Sequence, residues 1–224
     1  MLILLYGPFA CGKTYFTDNS LLPHLKNTNL PVTVVNADHT REKYWENGEL
    51  VEVREKRWNS KIENKTAMWH RCMDDTSRYY VVESGRPDGE IHCAPYFKKI
   101  GGGLYVVYLS CFWRSMKDWL VQRCEDRGKE FNKEYWNRDT LTDHDIVRFQ
   151  RQITNNLIPN NVPHRIFMLG KDREGYDAVE QFLFYLFNVP PYVWYNSVWK
   201  HSNTTQLDKL SDEVLPNIRR RRST

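Results

Sequence analysis

Gly7-Pro8-Phe9-Ala10-Cys11-Gly12-Lys13-Thr14 follows directly on the apolar run Met1-Leu2-Ile3-Leu4-Leu5-Tyr6. A buried strand that empties into a glycine-bounded turn and then a helix is the context in which G-x-x-x-x-G-K-T cradles phosphate. Gly7 and Gly12 admit backbone conformations closed to other residues, so the N–H groups of Pro8-to-Thr14 positions other than proline can converge on an anion. Lys13 supplies a mobile point charge for β- and γ-phosphates, and Thr14 a hydroxyl for Mg²⁺. A helix beginning near Lys13 adds the positive end of its dipole. The stretch implies a nucleoside triphosphate site formed by Gly7, Pro8, Phe9, Ala10, Cys11, Gly12, Lys13 and Thr14.

Working outward, five β-rich runs are expected as strands: Leu2–Tyr6, Pro31–Asn36, Tyr79–Glu83, Leu104–Ser110 and His164–Leu169. Helical patterns separate them over Lys13–Lys26, Val51–Arg78, Ser115–Arg127, Thr142–Asn156 and Arg173–Phe187. Alternation of this kind predicts an α/β fold: a five-stranded parallel sheet with helices on both faces. A single domain over residues 1–190 is expected, with a helical lid near 120–140 and a tail over 191–224. In that tail Tyr192–Trp199 is aromatic and Arg219–Arg222 basic. Gly101-Gly102-Gly103 reads as a turn, since no lysine or helix start follows it.

With 224 residues and a hydrophobic fraction of 41%, the chain can bury one core. Its net charge of +4 creates no global basic field, although the terminal arginine run can attract a phosphate backbone as well as lie solvated. The five cysteines are scattered without C-x-x-C spacing, which predicts reduced thiols in a cytoplasm, host cytoplasm for a viral protein included. No apolar segment is long enough for a membrane span, so no membrane partner is expected.

The second strand runs into Ala37-Asp38-His39-Thr40-Arg41, at the edge of an open parallel sheet where ligands bind. A carboxylate there can accept the proton of an attacking hydroxyl, and an arginine one helical turn on can hold the acceptor. The plainer reading makes Asp38 the N-cap of a following helix. The third strand ends in Glu83-Ser84-Gly85-Arg86. Glu83 can support the waters of Mg²⁺, orient the acceptor, or serve as a structural carboxylate on the loop; Ser84 and Arg86 would line the acceptor pocket. Arg123 and Arg127, four apart before Gly128, project from one helix face and suit a lid that closes over a transferring phosphoryl group.

Taken together, Gly7–Thr14, Asp38-x-x-Arg41, the acidic third strand and Arg123-x-x-x-Arg127 resemble the small P-loop kinases. These include polynucleotide 5′-hydroxyl kinases, adenylylsulfate kinases, zeta-toxin-like kinases and phage kinases that act on hydroxymethylated bases in DNA. The resemblance covers about the first two-thirds of the chain, as motif order. It implies Asp38 as general base, Arg41 on the acceptor side, and Arg123 and Arg127 on ATP phosphates. The loop carries Pro8-Phe9 where the family prefers small residues, and the third strand glutamate where aspartate is common.

The expected activity is therefore Mg²⁺- and ATP-dependent phosphoryl transfer to a hydroxyl of a nucleic acid or nucleotide. Small-molecule metabolite kinases and plain nucleotide hydrolysis are the alternatives. Within Tyr44–Arg78, basic and aromatic residues interleave (Arg54, Lys56, Arg57, Trp58, Lys61), as suits a nucleic-acid partner. Glu46, Glu49, Glu52, Glu55 and Glu63 nearly balance that charge, as suits a solvated helix.

Overall fold

The computed structural model describes residues 1–7, 11–36, 41–54, 72, 75, 77–84, 103–111, 118, 121–122, 124–126, 128, 151, 153–159, 162–169 and 175–190. The strands are β1 (Leu2–Tyr6), β2 (Val32–Asn36), β3 (Arg41–Glu46), β4 (Glu49–Arg54), β5 (Tyr79–Ser84), β6 (Leu104–Cys111) and β7 (His164–Leu169). They form one sheet in the order β4-β3-β2-β5-β1-β6-β7. β2, β5, β1, β6 and β7 run parallel, in the five places read from the apolar runs.

The sheet is nonetheless a mixed one of seven strands, not five parallel ones. β3 returns antiparallel along β2, and β4 along β3. The turn between them is Asn47-Gly48, with φ of 52° and 81°. Two consecutive residues in the left-handed region match the twist of a tight hairpin, and Asn-Gly is the pair that tolerates it best. Val51–Arg54 is accordingly strand, and the helix expected over Val51–Arg78 does not begin there. Arg41, expected on a helix, instead opens β3; Asp38 lies outside the described residues.

The central strands are buried on both faces, which is why they read as unbroken apolar runs. On one face Ile3, Leu5, Val34, Val81 and Val107 pack with helical residues of both chain ends. One contributor is the segment after the loop: α1 (Lys13–Phe16), a π-helical turn Thr17–Leu21 and α2 (Leu22–Leu25). The other is α3 (Tyr176–Asn188), which buries Val179, Phe182, Leu183, Leu186 and Phe187, a stripe at helical spacing. On the opposite face Leu2, Leu4, Tyr6, Val82 and Val106 meet Leu157 of the π-helical turn Ile153–Leu157, together with Cys72.

Of the expected lid helix, the described residues include one turn: the Asp126 N–H donates to the Gln122 carbonyl at 2.9 Å. Gly128, at φ 60°, ends it with its N–H on the Glu125 carbonyl, the usual glycine stop. The rest of the lid, most of Thr142–Asn156, Gly101-Gly102 and the tail from 191 lie outside the described residues. No helix among the described residues is long and apolar enough to cross a membrane.

Candidate active site

β1 lies inside the sheet with β5 on one side and β6 on the other, so the Gly7–Thr14 loop opens at the carboxyl edge of the parallel strands. Ligands of open α/β sheets bind in that crevice. A side chain at Gly7 would collide with the Leu109 carbonyl, which explains the glycine at the strand's exit. Gly12 sits at φ 86°, and a Cβ there would strike the Tyr176 hydroxyl, which donates to the Gly12 carbonyl at 3.3 Å. The first residue of α3 thus braces the loop from above. Helix geometry starts at once: the Phe16 N–H donates to the Gly12 carbonyl at 2.8 Å.

Lys13 folds back over the loop, its Nζ donating to the Gly7 carbonyl at 2.8 Å and lying 3.7 Å from Cys11 Sγ. Cys11 is fully buried, and burial pushes its thiol above the ordinary range despite the nearby lysine. It is a packing residue of the loop, not a reactive thiolate. Pro8, Phe9 and Ala10 lie outside the described residues.

Glu83, near the end of β5, is the buried carboxyl of the site at 4% exposure. Thr14 Oγ1 donates to its Oε2 at 2.5 Å, Thr17 Oγ1 to its Oε1 at 2.5 Å, and Asn36 Nδ2 to its Oε2 at 3.0 Å. Asn36 Nδ2 also reaches Thr14 Oγ1 at 3.3 Å. Three donors on one carboxylate satisfy a group that would be costly to bury alone. Burial still pushes the Glu83 carboxyl above its usual range, against the pull of the Thr14 and Thr17 hydroxyls and the Lys13 charge. Among the described residues, the side chains of Thr14, Thr17 and Asn36 hold Glu83.

Thr17 and Asn36 were not singled out in the sequence. Each carried a faint signal: Asn36 is a polar residue closing an apolar strand, and Thr17 lies one turn beyond Thr14 on the same helix face.

Arg41, Asn36 and Glu83 belong to a single transverse row of the sheet. Arg41 pairs with Asn36, Asn36 with Glu83, and Glu83 with Leu5. All face the loop's helix, where Asp18 receives Lys43 Nζ at 2.7 Å and Arg41 Nη2 at 3.8 Å. Trp45, two further along β3, donates its indole N–H to the Leu22 carbonyl at 2.7 Å and clamps the hairpin to α2. Arg41 is thereby placed at the active edge by β3, not by a helix.

The structure thus brings together Gly7, Cys11, Gly12, Lys13, Thr14, Arg41 and Glu83. The backbone of Ser84 ends β5 at the same edge. Asp38, Arg86, Arg123 and Arg127 lie outside the described residues. Among the described residues no group of three or more His, Cys, Asp or Glu gathers as a metal cluster. Thr14 and Glu83 do offer hard oxygen donors beside the phosphate loop. That is the kind of set with which Mg²⁺, which keeps most of its waters, is held by one or two protein groups plus phosphate.

No protein-family model matches the chain, and no curated protein does. Among solved structures, shikimate kinase from Bacteroides thetaiotaomicron aligns with TM-score 0.43 and 14% identity, over 84% of this chain and 99% of that one. A structure of the PezAT chromosomal toxin–antitoxin system of Streptococcus pneumoniae gives 0.46 and 12%, over 97% and 86%. An apo-form GTPase from Pyrococcus abyssi gives 0.38 and 14%, over 85% and 98%. All three lie below a TM-score of 0.5 and at 14% identity or less.

Proposed function

We propose that this chain is an ATP-dependent kinase that transfers the γ-phosphoryl group to a hydroxyl of a nucleotide or nucleic acid. Candidate acceptors are a 5′-terminal hydroxyl and a hydroxymethylated base, as in phage DNA modification. The observation that carries the reading is the Thr14–Glu83–Asn36 contact beneath the phosphate loop, continued in the same row by Arg41. A loop for triphosphate, a buried carboxylate at its foot and a cation toward the sheet edge supply the three needs of phosphoryl transfer: anchorage, metal support and acceptor binding.

In this reading Lys13 leaves the Gly7 carbonyl for the β- and γ-phosphates, and the loop amides hold the same oxygens. Thr14 would bind Mg²⁺ directly and Glu83 its waters; the ion, when bound, neutralises charge developing on the phosphates. Asp38 takes the proton of the acceptor hydroxyl, Arg41 positions the acceptor, and Arg123 and Arg127 close over the transferring group. Ser84 and Arg86 line the acceptor side. Cys11, Cys72 and Cys124 are free thiols, and a cytoplasmic setting is part of this reading.

The test is incubation with γ-labelled ATP and a panel of 5′-hydroxyl oligonucleotides, hydroxymethyl-base DNA, nucleosides and small alcohols. Label on a nucleic acid or nucleotide is the expected result. Label on a small alcohol alone would move the chain to the metabolite kinases, and label in inorganic phosphate alone would make it a plain hydrolase.

A further inference from the structure

The transverse row that carries Glu83, Asn36 and Arg41 does not end at Arg41. Arg54, the last residue of β4, pairs directly with Arg41 across the hairpin. Residues opposite one another on antiparallel strands share a face, so both arginines stand on the side of the loop's helix, at the carboxyl edge of the sheet. From the outer edge inward, the row reads Arg54, Arg41, Asn36, Glu83.

Two like charges directly opposite across a strand pair are unfavourable. Among the described residues the compensation is thin. Arg41 Nη2 stands 3.8 Å from Asp18 Oδ2, while Lys43 Nζ takes Oδ1 of the same carboxylate at 2.7 Å. Arg54 Nε contacts Glu52 at 2.8 Å, an exposed pair in which the arginine side chain is 66% accessible. Among the described residues three bases, Arg41, Lys43 and Arg54, therefore face two acids, Asp18 and Glu52. The excess registers on Glu52, whose carboxyl sits below its usual range mainly through the Arg54 hydrogen bond, with the charges of Arg41 and Lys43 adding to it. A solvated hairpin needs no such pair, whereas an anion laid across it removes the repulsion and gains two guanidinium forks.

We propose that Arg54 and Arg41 form an anion platform for a phosphate of the acceptor, set outward from the reacting hydroxyl. The proposal rests on the kinase reading for the identity of the bound molecule, and names its class: an acceptor that already carries a phosphate. At the usual strand spacing, Arg41 and Arg54 lie about 10 and 14 Å from Glu83 along the row. With the reach of the side chains, a gap of this order separates a hydroxyl on a nucleotide from its own phosphate or the next one. A mononucleotide and a polynucleotide backbone present the same group here.

The experiment compares wild type, Arg54→Ala and Arg54→Lys by direct binding, without turnover. The probes are a nucleoside monophosphate, its parent nucleoside, a 5′-hydroxyl single-stranded oligonucleotide and Mg-ATP. Arg54→Ala should weaken binding of the phosphorylated probes about tenfold and abolish the preference for monophosphate over nucleoside. It should leave Mg-ATP affinity intact, and Arg54→Lys should recover part of the loss. For the oligonucleotide, the slope of log affinity against log salt should fall by about 0.7. Loss on the oligonucleotide alone assigns the platform to a polymer backbone; loss on both assigns it to a nucleotide-sized acceptor. Unchanged binding of both phosphorylated probes, or an equal loss of Mg-ATP, would overturn the platform. Because no step needs catalysis, failure of the chain to label any hydroxyl would sink the kinase reading and leave this test standing.

Discussion

Thr14 and Glu83, 69 residues apart in the chain, are joined by a hydrogen bond of 2.5 Å at the foot of the phosphate loop. Through it the first helical turn after the loop is tied to the strand next to β1, which fixes both side chains in place at the foot of the loop. Buried groups that are held before substrate arrives cost less reorganisation when it does.

Glu83→Gln separates the chemistry of that carboxylate from its burial. Because burial raises the Glu83 carboxyl above the reference 4.5, the folded state favours its neutral form. The stabilisation linked to that form is complete below pH 4.5 and is lost as pH rises through the folded value. Wild-type stability should therefore decline as pH climbs from that point, and the glutamine variant should lack this decline. Urea unfolding of both proteins across the acid-to-neutral range measures it. Phosphoryl transfer by the variant should fall by about tenfold or more, with Mg²⁺ requirement raised.

Thr17→Val removes one of the three donors on Glu83 while keeping side-chain volume. The buried carboxylate then lacks a partner, and stability should drop by about 1–3 kcal/mol. Thr17→Ser, which keeps the hydroxyl, should retain most of it. Equal losses in the two variants would mean that the methyl, not the hydrogen bond, matters.

Lys13→Ala removes the ammonium that donates to the Gly7 carbonyl and that the proposed reading assigns to the phosphates of ATP. Both ATP affinity and turnover should fall, the latter by about 100-fold, since the charge acts on bound and transferring phosphate alike. Equilibrium ATP binding together with single-turnover transfer separates the two effects.

Removal of Arg219–Arg222 should weaken a polynucleotide and flatten its salt dependence, with nucleotide affinity unchanged. An unaltered salt slope would mark the run as inert. The measurement is oligonucleotide binding at several salt concentrations.

The five parallel strands were legible because strands such as Leu2–Tyr6 are covered on both sides and carry no polar interruption. The hairpin was not, because β3 and β4, the two outermost strands on that side, are half-buried to exposed and mix charged with apolar residues, as in Glu49-Leu50-Val51-Glu52-Val53-Arg54. Solvated edge strands resemble charged helices in composition, and the Asn47-Gly48 turn was the local feature that told them apart. Of the site, the glycine loop was legible because its function needs contiguous residues. Thr17 and Asn36 were not, since their meaning depends on contacts to Glu83 across 66 and 47 positions. Arg54 was visible only as one base among many; its place opposite Arg41 is a property of register.

The central claim is that a hydroxyl acceptor is deprotonated at the end of β2, beside the loop that holds ATP. Asp38→Asn tests it most directly, by single-turnover transfer of label from γ-labelled ATP to the preferred acceptor alongside equilibrium ATP binding. The account predicts ATP affinity within about twofold of wild type and transfer slowed by at least ~100-fold. Transfer at the wild-type rate would contradict it.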